Sequence, residues 1–156
     1  MEGPARRRRC LRQATPAWTV VTVVPVTTRW LVDTTVLIDH LRGAAEARKL
    51  LLESVRDDVE LWSAVVVRTE VLAGMRSAEK RATVQLLGLF RWLDVTAELA
   101  DRAGELARKY LRSHRNIDTV DYLIAASALQ LNAELKTTNV RHFPMFADLK
   151  PAYRLR

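Results

Sequence analysis

The chain has 156 residues, one cysteine and a formal charge of +7, with an isoelectric point near 10.2. That length suits one domain with a self-sufficient apolar core. A lone Cys10 excludes an intrachain disulfide framework and a cysteine-based zinc site. A basic chain favours a polyanionic partner, nucleic acid first, but residues 1–29 hold six arginines against one glutamate and so carry +5 of the total, leaving a nearly neutral remainder.

The predicted elements begin late. Residues 1–28, with the run "ARRRRC" and the threonine- and proline-cut stretch "AWTVVTVVPVTT", read as a basic, disordered extension. They loosely resemble the charged and apolar regions of a signal peptide, but no clean A-x-A site follows and the stretch is too short to span a membrane. A secreted basic protein is therefore the weakest of three readings. The absence of pattern before Arg29 also raises a start within this stretch, at Val26 or at Val20 to Val24.

From Arg29 the pattern is regular, and residues 29–156 read as one domain. "WLVD" is a short buried strand, and "TTVLIDHLRG" a helix with a threonine as N-cap and Gly43 as its stop. "AAEARKLLLESVRD" is an amphipathic helix and "VELWSA" a strand. "VVVRTEVLAGMR" is helical because Val67, Val71 and Met75 keep a 3.6-residue period. "EKRATVQLLGLFRW" continues as helix into a brief strand, "WLDV". "TAELADRAGELARKYLRSH" and "IDTVDYLIAASALQLN" are helices, "AELKTTN" a strand leading to Asn139, and "FPMFADLKPAY" closes the chain. Strands alternating with helices predict an α/β fold with a central, mostly parallel sheet of four to five short strands flanked by helices. In such sheets ligands bind beyond the carboxyl ends of the strands, and Asp33 stands at such an end.

Three acids share an apolar setting: Asp33 after Leu31 and Val32, Glu70 between Val67 and Val71, and Asp121 between Val120 and Leu123. An ionised carboxylate beside a core is costly unless an arginine, backbone donors or a cation compensate it. Singly, each also has a structural reading. Asp33 can cap the helix it precedes, Glu70 can pair with Arg68 or Arg76, and Asp118 and Asp121 can cap a helix or complement its dipole. Taken together, carboxylates at equivalent places in a parallel α/β pattern make a hard-oxygen site, suited to Mg²⁺ or Mn²⁺ rather than zinc. Such an ion activates water and neutralises phosphoryl charge, which in a basic chain points to phosphodiester hydrolysis. The phosphate-cradling G-x-G-x-x-G and G-x-x-x-x-G-K-[ST] motifs and the G-x-S-x-G elbow are absent. His40, His114 and His142 show no ligand spacing. Trp62 and Trp92 read as core rather than as base-stacking platforms.

"LVDTTVLID", "TEVLAG", "VDYLIAASAL" and "LKTTNVRHF", in this order across residues 30–150, resemble the motifs of PIN-domain ribonucleases, specifically VapC-type toxins of bacterial toxin–antitoxin pairs. The resemblance implies a PIN-like fold and a cytoplasmic, Mg²⁺- or Mn²⁺-dependent endoribonuclease that forms a homodimer and is neutralised by a VapB-type antitoxin. It implies Asp33, Glu70 and Asp121 as catalytic and metal-binding residues. A fourth acidic position of the family falls at Asn139, which keeps a carbonyl for coordination but adds no charge. Thr35 and Thr137 match hydroxyl positions that hold Asp33. Asp118 is a supporting residue or, preferably, an N-cap. Val67 replaces a threonine common in relatives, so one polar contact near Glu70 is expected to be missing. The alternative function is a catalytically weak PIN-like module that binds RNA or antitoxin without cutting. Neutralising any one acid is expected to relieve repulsion and hold or raise the melting temperature.

Overall fold

The computed structural model describes residues 27–155. The basic run and the possible internal starts lie outside these residues. Four strands form one parallel sheet in the order β3-β2-β1-β4. They are β1 (Arg29–Val32), β2 (Glu60–Ala64), β3 (Arg91–Leu93) and β4 (Glu134–Lys136). Six α-helices flank the sheet: α1 (Thr34–Leu41), α2 (Ala45–Arg56), α3 (Val65–Ala73), α4 (Lys80–Leu87), α5 (Ala97–Tyr110) and α6 (Thr119–Leu131). The predicted α/β class and the flanked parallel sheet are therefore observed.

β1 is central, and its last three residues, Trp30, Leu31 and Val32, are buried. That is why its apolar run does not alternate: a parallel strand covered on both faces has no solvent side. Val67 and Val71, one turn apart on α3, face the same core, as do Val36 and Leu37 on α1. α6 is buried along most of its length through Tyr122, Ile124 and the small side chains of Ala125, Ala126, Ser127 and Ala128. Its alanines let α5 and the sheet approach closely. A second cluster joins Leu99 and Ala103 of α5 to Ile117, Tyr122 and Ala126. Truncating a fully buried residue such as Leu37 to alanine removes about 2–5 kcal/mol. Trp62 and Trp92 are partly buried against the main core, as expected.

Several boundaries differ from the sequence reading; the helix predicted through His114 ends at Tyr110, and the strand predicted to Asn139 ends at Lys136. α1 is capped by Asp33, not by a threonine, since the Asp33 carboxylate accepts the Thr34 N–H at 2.7 Å. α3 stops at Ala73, before Gly74, so Met75 is not helical; glycine is a poor helix former and ends the run. α4 stops at Leu87, before Gly88, and β3 begins at Arg91. The apolar residues Leu89 and Phe90 continued the helical pattern past that glycine without extending the helix.

The strand order places the site. From β1 the chain moves outward through β2 to β3, then returns to β4 on the other side of β1. The order thus reverses between β1 and β4, which opens a crevice beyond their carboxyl ends. Asp33 follows β1, and Thr137 to Asn139 follow β4.

Candidate active site

Asp33 is only 5% exposed, and its carboxylate accepts three hydrogen bonds, with one lone pair of Oδ1 left over. Oδ1 accepts the Thr34 N–H at 2.7 Å. Oδ2 accepts the Thr35 hydroxyl at 2.9 Å and the Thr137 hydroxyl at 2.6 Å. Each hydroxyl is itself oriented by a backbone donor: Thr138 N–H donates to Thr35 Oγ1 at 3.3 Å, and Asn139 N–H to Thr137 Oγ1 at 3.0 Å. Thr35 and Thr137 thus both donate to the Asp33 carboxylate. The bond from Asp33 N–H to Lys136 O, 2.9 Å, continues the β1–β4 pairing into the crevice. The cap and the buried anchor are one carboxylate doing both.

Glu70, in the second turn of α3, faces α1. The Thr34 hydroxyl donates to Glu70 Oε2. This supplies the polar contact that Val67, fully buried, does not. Partial burial pushes the Glu70 carboxyl above the usual glutamate range. The Thr34 bond opposes that shift, and the charges of Asp33, Asp118 and Asp121 add to it. Glu70 has no salt bridge to Arg68 or Arg76; Arg76 instead pairs with Glu79, and Arg68 lies over the Trp92 ring.

Asp118 is the N-cap of α6, as the sequence reading preferred. Asp118 Oδ1 accepts the Asp121 N–H at 3.0 Å, and the Asp118 N–H returns to Asp121 Oδ2 at 3.1 Å. His142 Nδ1 sits 2.8 Å from the same Asp121 Oδ2. Burial pushes the Asp121 carboxyl up; the Asp118 backbone bond and His142 pull it down, while the Asp118 charge raises it.

These residues line one cleft of about 380 Å³. Asp33, Thr34, Thr35, Asp39, Glu70, Asp118, Asp121, Asn139 and His142 border it, with Arg42 the one arginine or lysine among its lining residues. Asp33, Glu70, Asp121 and Asn139 are therefore brought together from β1, α3, α6 and the turn after β4. Sequence reasoning missed Thr34 and His142. A threonine beside a motif aspartate gave no sign of which acid it would bridge. His142 lies in "NVRHF", four residues before which no acid or histidine signals a partner, so only the fold reveals its contact with Asp121.

The donor set suits a hard divalent cation. The free edges are Glu70 Oε1 and Asp121 Oδ1, which have no protein hydrogen bond among the described residues, together with the Asn139 side chain. Among the described residues, no group of three or more His, Cys, Asp or Glu side chains is arranged to hold a metal ion without rearrangement or added ligands. Mg²⁺ needs no such group, because it keeps several waters and is commonly held by one or two carboxylates plus substrate phosphate.

A family model for the PIN domain matches residues 30–148. The chain belongs to the PIN domain family. It is 50% identical over 123 residues to Ribonuclease VapC19 of Mycobacterium tuberculosis, a match covering 79% of this chain and 98% of that protein. It is 49% identical over 123 residues to Ribonuclease VapC10 of the same species, covering 79% and 92%. The fold also matches a toxin–antitoxin complex chain from Klebsiella pneumoniae with a TM-score of 0.66, at 22% identity, over 83% of this chain and all of that one.

Proposed function

We propose that this PIN-domain chain is a Mg²⁺- or Mn²⁺-dependent endoribonuclease toxin that a cognate antitoxin neutralises. The observation that carries the reading is the convergence of Asp33, Glu70 and Asp121 in one cleft at the β1–β4 switch point. The ribonuclease names of relatives at half identity support it. Asp33, Glu70 and Asp121 would hold the cation, and Asn139 would add a neutral oxygen donor. Bound there, the cation lowers the pKa of water and offsets charge on the scissile phosphodiester.

The chain's own residues do the positioning. Thr35 and Thr137 fix the Asp33 carboxylate, so one wall of the site costs no reorganisation. Thr34 ties Glu70 Oε2 to α1 and leaves Oε1 toward the cleft. Asp118 and His142 hold Asp121 Oδ2 and leave Oδ1 available. Water attacks phosphorus and releases a proton to solvent, the phosphorus–oxygen bond to the leaving ribose oxygen breaks, and that oxygen takes up a proton from solvent.

Residues 29–156 form the nuclease domain in this reading, and residues 1–28 an extension to it. The partner set is RNA, a VapB-type antitoxin and a second copy of the chain, in the cytoplasm. No helix among the described residues is long and apolar enough to cross a membrane. An antitoxin arginine is the fitting inhibitor, since guanidinium pairs bidentately with carboxylates where the cation would stand.

One observation favours the alternative of a binding module that does not cut: Asn139 removes a negative charge from the cleft. The test is purified chain incubated with total cellular RNA, with Mn²⁺ and with excess EDTA. Defined new RNA ends with Mn²⁺ alone support the nuclease. Binding without cleavage in either condition supports the module.

A further inference from the structure

A second concavity, about 720 Å³, adjoins the acidic cleft and shares His142 with it. Its walls come from the loop between α5 and α6, residues 112–117, and from the turn after β4, residues 140–142 and Pro144. Arg112, Arg115 and Arg141 line it and are exposed, and His114 and His142 complete a basic wall. No aspartate or glutamate lines it. Among the described residues, none of the three arginines has a carboxylate within salt-bridge distance. Arg29, Arg56, Arg91 and Arg102 each pair with an acid, whereas these three line one groove.

Resting on the nuclease reading, we infer that this groove is the track for the RNA strand flanking the scissile bond, with Arg112, Arg115 and Arg141 contacting its phosphates. The acidic cleft by itself repels a polyanion. Affinity must come from elsewhere, and a basic groove that opens onto the cleft at His142 delivers the strand to it. Guanidinium groups match phosphate oxygens in a planar, two-pronged fashion. Contacts of this kind position a strand without reading its sequence. An acidic protein segment is the rival occupant. The groove suits it less, because it has no tryptophan or tyrosine among its lining residues, two of the side chains that most often anchor a protein partner.

The test uses the full chain, so the arginine run of residues 6–9 contributes equally to every variant. A short fluorescent single-stranded RNA is titrated in EDTA across a salt series. Each phosphate contact on a single strand contributes about 0.7 to the slope of log affinity against log salt. Arg112→Ala, Arg115→Ala and Arg141→Ala should each lower the slope by about 0.7 and weaken binding roughly two- to fivefold at low salt. The triple variant should lower the slope by about 2, and the three lysine substitutions together should restore it. Arg81→Ala, on the exposed face of α4, should leave slope and affinity unchanged. In cleavage, the triple variant should raise KM and leave kcat near native. A triple variant with native slope and affinity overturns the track, and so does a loss that Arg81→Ala reproduces. If the triple variant loses binding to an acidic peptide but not to RNA, the rival occupant is correct and the track fails. A chain that binds RNA with the stated slope changes yet never cuts it keeps the track and removes the nuclease reading.

Discussion

The three hydrogen bonds to Asp33 reverse, for this one acid, the expectation that neutralisation holds or raises the melting temperature: Asp33→Asn should destabilise the fold, unlike neutralising Glu70. The Asp33 carboxylate accepts three hydrogen bonds, one from a backbone N–H and two from hydroxyls. An asparagine amide has one acceptor end and one donor end. With the oxygen toward Thr34, the amide nitrogen faces the protons of Thr35 and Thr137. With the oxygen toward the threonines, the nitrogen faces the Thr34 N–H. Either orientation sets donor against donor at a site 5% exposed, where water offers little relief. Turning the hydroxyls away is a partial remedy, since each already accepts from a backbone N–H. An unmet buried partner costs about 1–3 kcal/mol, and bonds to an ionised group are at the strong end. About 2–3 kcal/mol for Asp33→Asn is therefore expected, offset only in part by relief of repulsion with Glu70. For a chain of 156 residues, each kcal/mol moves the melting temperature by about 2–4 °C, so the drop is roughly 4–12 °C. Thr137→Val, which removes one of the three donors without changing shape, should cost about 1–2 kcal/mol, and the double variant less than the sum. Circular-dichroism melts of the three variants in EDTA provide the check. An Asp33→Asn chain that melts at or above the native temperature refutes the reasoning.

Other consequences follow from the same geometry. Glu70→Gln should raise stability at neutral pH: the folded carboxyl has a raised pKa, so its charge disfavours the fold as pH climbs past the ordinary glutamate value of 4.5, and below that value both states are protonated and the gain vanishes. Denaturant melts across pH read this directly, and a gain that grows toward acid would contradict it. Asn139→Asp should tighten Mn²⁺ binding and lower the melting temperature without metal, because it adds one charge to a crowded carboxylate site; a Mn²⁺ thermal-shift titration with an unchanged midpoint removes Asn139 from the site. His142→Ala should free Asp121 Oδ2 and reduce cleavage at saturating RNA while leaving the melt within a few degrees, a pattern read by comparing kcat with melting temperature.

The sequence made the parallel α/β class, the helix count and the three acids legible, because each rests on local pattern: an apolar run into Asp33, a 3.6-residue period around Glu70, and an Asp-x-x-Asp cap at Asp118 and Asp121. The strand order was not legible. Nothing local says that β4 pairs beside β1, yet that pairing brings Thr137 to Asp33 across 104 positions. Thr34 to Glu70 and His142 to Asp121 are likewise contacts between distant segments. The helix ends at Gly74 and Gly88 failed for a different reason: the apolar residues after each glycine kept the helical period, although the glycine had already ended the helix.

If the cleft acts as proposed, Asp33, Glu70 and Asp121 together hold a divalent cation that RNA cleavage requires. The most direct test is calorimetric titration of Mn²⁺ into native and Asp121→Asn chains, paired with cleavage of one labelled RNA by the same preparations. Asp121→Asn should keep the native circular-dichroism spectrum while losing both the Mn²⁺ binding heat and cleavage. An Asp121→Asn chain that binds Mn²⁺ and cuts RNA as the native chain does would remove Asp121 from the site.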